Sequence, residues 1–269
     1  MASSISGKAD PVVRTVTVAD IGDALAQGLR DFQRAPKFGL FFGAVYAAGG
    51  ILILLCLSAL QMTYLAYPLA AGFFIIGPFV ALGLYQVSRD LESGTPLSFG
   101  RVLSIARSRR EVGWMAFVTG FIFVIWMYQV RLLLALFLGS TGSFATLPEF
   151  FEVVLTTNEG LLFLIIGNLI GAAISLVLFS ITVVSYPIIL DRDVDFVTAM
   201  ITSLRAVSMS PVPMLGWGVV IVVLLIVSSM PLFLGLLVTL PVLGHATWHL
   251  YRRIVAPAEA PAQAAAATI

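Results

Sequence analysis

Charge is what this chain has least of. Asp, Glu, Lys and Arg together make up 11% of its 269 residues, against roughly a quarter in soluble domains. The net charge is +1, so no global basic field points to a nucleic acid. A single cysteine, Cys56, excludes an intramolecular disulfide and any multi-cysteine metal site. It reads as a small apolar helix residue. The two histidines, His245 and His249, are too few for a haem–copper oxidase core. No phosphate loop, Gly-x-Ser-x-Gly elbow, HExxH or cysteine-pair motif occurs, and no catalytic residue is assigned. A signal peptide is not expected either. Asp10, Asp20, Asp23 and Asp31 stand among the five basic residues before the first apolar run, with no short apolar core or small-residue cleavage site.

What the chain does have is hydrocarbon. Hydrophobic residues are 59% of it and the mean hydropathy is +1.03, which no water-facing globule sustains. Phe38–Leu60 is uncharged from end to end, long enough to cross ~30 Å of lipid, and reads as an uncleaved anchor. Further crossings are expected at Tyr64–Val87, Gly113–Leu132 and Leu161–Leu190. Val212–Trp248 would make one helix of ~55 Å, too long for one span. Ser228, Ser229, Met230 and Pro231 supply a turn, dividing it into Met214–Val227 and Leu232–Tyr251.

The basic residues orient these six spans. With the amino terminus inside, every Lys and Arg except Arg131 falls on the cytoplasmic side, while Glu149, Glu152 and Glu159 lie outside. That asymmetry places both termini inside. The expected fold is an all-α polytopic membrane protein of six transmembrane helices with three cytoplasmic interfacial amphipathic helices. The first, capped by Thr17 and Asp20 and ended by Pro36, carries Val18, Ile21, Leu25, Leu29 and Phe32 on one face. The second carries Phe99, Val102, Leu103 and Ala106; the third Val197, Met200, Ile201, Leu204 and Val207. They are expected to lie at the inner interface, where a basic face suits anionic lipid or a membrane or cytoplasmic protein. The organisation reads as a cytoplasmic segment over 1–37, the membrane domain over 38–255 and a disordered Pro/Ala-rich tail over 256–269.

Few residues within this frame carry chemistry. Gly77-Pro78 should kink or open the second span, because proline lacks a donor and displaces the carbonyl four residues back. Such a break, with Asn168 and Arg131 beside it, suits a small-solute or ion pathway; packing is the plainer account. Arg131 can snorkel to the outer headgroups and pair with Glu149 or Glu152, and Asn168 is expected to bond a neighbouring helix. Gly39/Gly43 and Gly167/Gly171 have the four-residue spacing that lets helices approach closely. His245 and His249 share a helix face and could chelate a metal if Asp90, Glu92, Asp191, Asp193 or Asp195 converged on them; interfacial hydrogen bonding beside Trp248 and Tyr251 is the plainer account. No cofactor is assigned. Asp191–Asp195 has calcium-loop spacing without the glycine or the closing glutamate, and reads as a solvated loop leading into a helix.

The segments Gly72–Gly94 (GFFIIGPFVALGLYQVSRDLESG), Pro241–Val255 (PVLGHATWHLYRRIV) and Ala24–Gly43 (ALAQGLRDFQRAPKFGLFFG) resemble the bacterial integral membrane family catalogued as domain of unknown function 2189. Ser185–Leu204 also resembles a pattern of broader multi-span families, including the membrane domain attached to some glycerophosphodiesterases, which is not their catalytic part. The resemblance implies a six-span protein of the bacterial inner membrane and brings no catalytic residues with it. The expected role is non-enzymatic, organising or assisting other inner-membrane components. The alternatives are a small-solute or ion permease and a metal- or haem-binding membrane protein.

Overall fold

The computed structural model describes residues 10–58, 66–139 and 147–257. The described chain is helical, apart from one antiparallel bridge between Val13 and Val255. Its elements are α1 (Val18–Arg34), α2 (Pro36–Ser58), α3 (Ala66–Glu92), α4 (Phe99–Ser108), α5 (Arg110–Leu138), α6 (Leu147–Thr156), α7 (Asn158–Thr182), α8 (Ser185–Asp191), α9 (Phe196–Met209), α10 (Pro211–Ser229) and α11 (Leu236–Ile254). Among the described residues four helices are long and apolar enough to cross a membrane: Pro36–Cys56, Arg110–Leu138, Asn158–Asp191 and Pro211–Ser229. The segments Tyr64–Val87 and Leu232–Tyr251 correspond to α3 and α11. The tail beyond residue 257 lies outside the described residues.

The chain forms two compact units, Met1–Trp114 with Ile181–Ile269, and Met115–Ser180. In the first, α11 is the hub, with α1, α2, α3 and α10 packed around it. The turn before α11 falls where the sequence places it. α10 stops at Ser229, and Leu232 and Phe233 take left-handed φ values of 51° and 62°. Ser228 and Thr239 hydroxyls meet at 2.6 Å across this turn.

Glycine sets how closely the hub is approached. A Cβ on Gly28 of α1 would stand 2.6 Å from the Ala246 nitrogen and the Val242 oxygen of α11. On α2, a Cβ at Gly43 would lie 2.7 Å from the Leu237 Cα and 2.8 Å from its oxygen. Pro241, one turn later, has no N–H to give that oxygen. The α2 backbone therefore closes over the carbonyl that proline leaves without its helical partner. Gly39 is occupied in the same seam, against Phe32 and Pro241.

The three short amphipathic helices form, and on two of them much of the apolar stripe faces outward while small residues face in. Thr17 and Asp20 make the expected capping box on α1. Its inward residues are Ile21, Ala24, Gly28 and Asp31, while Val18 and Leu29 are exposed. In α9, Ala199, Thr202, Ser203, Ala206 and Val207 are buried, and Val197, Ile201 and Leu204 face out. In lipid, large apolar side chains gain nothing from facing inward, whereas small ones permit helix contact. α4 divides its stripe: Val102 joins a core of Phe38, Phe42, Val80, Leu84 and Val87, whereas Phe99 and Leu103 are exposed. Phe99 still stacks on Phe38, with ring centroids 4.2 Å apart.

Outward-facing apolar residues dominate the second unit as well. Phe117, Tyr128, Leu132, Leu136 and Leu169 are all exposed, an arrangement suited to lipid rather than water. α6, an element absent from the sequence reading, joins α7 by a turn in which the Thr157 hydroxyl accepts from the Gly160 N–H at 3.0 Å. Gly167 and Gly171 do not bring backbones together. Their nearest neighbours are side-chain atoms of Leu133 at 3.6 Å and Trp126 at 3.9 Å.

Gly28→Ala should lower stability by about 1–3 kcal/mol, read as the unfolding midpoint in a detergent–SDS titration. Gly22, on the same helix with nothing within 4 Å of a built Cβ, provides the control. Gly22→Ala should raise stability, by up to about 1 kcal/mol.

Candidate functional site

Polar side chains of the first unit gather at the end of the helices where α11 finishes. Asp31 sits on the inward face of α1, one turn after Gly28, and the close approach brings it to His249, Oδ2 to Nε2 2.7 Å. His245, one turn earlier on α11 and fully buried, places Nδ1 2.8 Å from the Ser88 hydroxyl of α3. Three helices are thus joined through two imidazoles. Burial works to raise the Asp31 carboxyl pKa, but hydrogen bonds from His249 and Ser88, with the charge of the histidines, hold it below its ordinary 3.8. Among the described residues His245 Nε2 has no hydrogen-bond partner.

The carboxylates that could have converged on the histidines are drawn to other partners. Asp90 accepts from the Gln86 amide at 2.7 Å and stands 2.8 Å from the Arg101 guanidinium. Glu92 accepts from Trp248 Nε1 at 3.3 Å and pairs with Arg252 at 3.2 Å. Asp191 accepts from the Tyr251 hydroxyl at 2.7 Å and pairs with Arg252 and Arg89. Asp195 caps α9 by accepting from the Thr198 N–H at 2.9 Å, and the bond it accepts from the Thr198 hydroxyl at 2.6 Å heads the causes that lower its pKa. Among the described residues no group of three or more His, Cys, Asp or Glu is arranged to hold a metal. Arg253 reaches back to Asp20 at 2.6 Å and Asp23 at 3.1 Å on α1. The Arg14 N–H donates to the Ile254 carbonyl at 2.7 Å, fastening the segment before α1 beside the end of α11.

The proposed pathway residues fall differently from the sequence reading. α3 runs as one helix through Gly77 and Pro78 rather than opening there. Gly77 instead leaves room for Tyr46, whose hydroxyl would lie 3.0 Å from a Cβ at that position. Asn168 is exposed, and its amide donates to the Leu164 carbonyl of its own helix at 2.7 Å, not to a neighbour. A carbonyl one turn back lies within reach of the side chain, so one amide donor is engaged inside the helix itself. Arg131 is likewise exposed.

The second feature of this unit is a partly open apolar groove of about 340 Å³. α11 forms its floor through Leu236, Leu243 and Thr247, joined by Leu84 and Tyr85 of α3. Gly77 and Ala81 of α3 make one wall, and Ile221 and Leu225 of α10 the other. These two helices both pack on α11 and scarcely on each other, which leaves the trough between them. Sequence reasoning missed both features. Asp31 and Ser88 carry no motif, and a groove between non-sequential helices has no linear signature.

Helices with apolar outer faces, small-residue seams and a polar girdle at one end define a multi-span α-helical membrane protein. Residues 66–191, α3 through α8, match the family model described as predicted integral membrane protein (DUF2189). The resembling segments Pro241–Val255 and Ala24–Gly43 lie beyond that match. No curated protein and no solved structure matches the chain.

Removing the carboxylate should loosen α1. Asp31→Asn is expected to cost about 1–3 kcal/mol and to speed amide exchange across α1 and the end of α11. Because the folded carboxyl titrates below 3.8, its stabilisation is complete above that pH and disappears as the pH falls through the folded value. Amide exchange corrected for intrinsic rates, followed from about pH 6 to pH 3, should show α1 opening only at the acidic end in the native protein. In Asp31→Asn that acid-dependent step should shrink.

Proposed function

We propose that the chain is a non-enzymatic, six-span protein of the bacterial inner membrane, with both termini cytoplasmic, that organises or assists other membrane components through its basic inner face. α3 and α11 supply the two crossings beyond the four helices that qualify on length and apolarity. The observation that carries the docking role is the way charge is divided at one end of the first unit. Asp20, Asp31, Asp90, Glu92 and Asp191 are engaged by arginine or histidine in ties between helices. Arg30, Arg34, Lys37, Arg110 and Arg205 are meanwhile exposed, close in sequence to outward-facing Leu29, Leu40, Trp114 and Leu204. Exposed cations interleaved with apolar side chains suit an anionic, membrane-adjacent partner. A transport role is less well supported, since α3 is uninterrupted and Asn168 is occupied within its own helix.

Crosslinking in native membranes should capture a reproducible partner. Charge-neutral replacement of the five exposed cations should reduce that capture about tenfold while leaving the unfolding midpoint unchanged. Saturable solute flux through purified protein in liposomes would sink the proposal. Orientation has its own check in a Cys56→Ala background. Arg109→Cys should react with an impermeant maleimide only from the cytoplasmic side, and Glu152→Cys only from the other. Labelling from one common side removes the six-span arrangement without touching the docking result.

A further inference from the structure

The groove between α3 and α10 has the dimensions and chemistry of a site for one hydrocarbon chain. From Leu236 to Thr247 its floor runs about 16 Å along α11, at ~1.5 Å per residue. Half of a ~30 Å hydrocarbon layer, the depth of one leaflet, is about 15 Å. The lining is almost wholly apolar. Its hydroxyl groups are occupied or recessed: Thr247 donates to the Leu243 carbonyl at 2.8 Å and Ser229 to the Leu225 carbonyl at 2.8 Å. Water entering such a trough would find few groups to bond, and smaller apolar cavities stay dry. The floor residues are buried, whereas Gly77, Ala81, Ile221 and Leu225 along the walls are half-buried, so the trough is accessible from outside the unit. Gly77 and Ala81 also keep the α3 wall low.

We propose that this groove binds a single phospholipid acyl chain, lying along α11 between α3 and α10. Packing rather than water exclusion holds it, because the competing environment is other lipid. A chain seated there substitutes for the helix contact that α3 and α10 scarcely make with each other. The inference requires only that these helices stand in a bilayer. It is independent of any partner at the basic face, so either reading can fail without the other.

The test uses the full chain in nanodiscs of phosphatidylcholine doped with a phosphatidylcholine carrying a diazirine on one acyl chain. After irradiation, adducts are mapped by peptide mass spectrometry. The expected result is a yield at Ala81, Ile221, Leu225 and Leu240 about threefold above that at the exposed apolar residues Phe117, Leu132 and Leu169 of the second unit. Ala81→Phe, which fills the trough from its low wall, should cut groove adducts about fivefold while leaving those three positions unchanged. Leu225→Ala, which widens the trough, should keep or raise them. Groove labelling by an isoprenoid–phosphate probe with the diazirine in its chain, in preference to the acyl probe, would overturn the assignment to an acyl chain. Uniform labelling across all outward apolar faces by both probes would overturn it, as would an Ala81→Phe protein with native melting and undiminished groove adducts.

Discussion

The approach of α1 and α2 to the backbone of α11 is the constraint on which the first unit depends. In water, burial of apolar area would hold these helices together over a range of separations. In lipid that force is missing, and attraction must come from atoms in van der Waals contact. Gly28 over Ala246 and Gly43 over Leu237 provide that contact. Pro241 adds to it, since the carbonyl it leaves unpartnered is the one the α2 backbone covers. The polar ties follow from the same geometry. Asp31 reaches His249, and Asp20 reaches Arg253, because α1 lies close enough along α11 for short side chains to span the gap.

Those ties explain how so few charges are used. Nearly every acid at this end accepts from a partner on another helix, so each pair acts as a register mark as well as an attraction. Arg252, shared by Glu92 and Asp191, links α3, α8 and α11. The Arg192 guanidinium donates to the Ala256 carbonyl, and Arg109 to the Arg192 carbonyl at 2.8 Å, so guanidinium groups also satisfy the backbone where helices end. With the acids consumed internally, positive charge is what remains to face outward. The outward stripes of α1 and α9 place apolar side chains in the same zone.

Much of this architecture was readable in advance, and the failures share one cause. Thr17 with Asp20, the Ser228–Pro231 turn and the Asp195 start of α9 are local signals, and each appears where its chemistry puts it. The stripes on α1 and α9 are equally legible, but the small residues that meet the neighbouring helices, Ala24 and Gly28 or Ala199 and Ser203, carry no such pattern. Asn168 was assigned an interhelical bond because a lone amide in a span needs a partner, yet its own helix supplies one. At Gly77-Pro78 the sequence allows either a break or plain packing, and only the neighbouring helix shows that α3 continues through the pair while the glycine accommodates a hydroxyl from α2. Gly39 and Gly43 face α11 at close range while Gly167 and Gly171, with identical spacing, do not. Only the neighbouring helix distinguishes them.

The sequence by itself determined the solvent, the helical character and the places where the chain turns. Hydropathy, length against bilayer thickness, and caps are properties of contiguous residues. Tertiary structure alone decided which face of each helix points inward, which of the acids meets which cation, and that α3 and α10 leave a trough over α11. The physical reason is that lipid removes the contrast by which apolar patterning tells inside from outside. What then selects a contact is the fit of small residues to a backbone from a distant part of the chain, and that fit exists only once the helices are side by side.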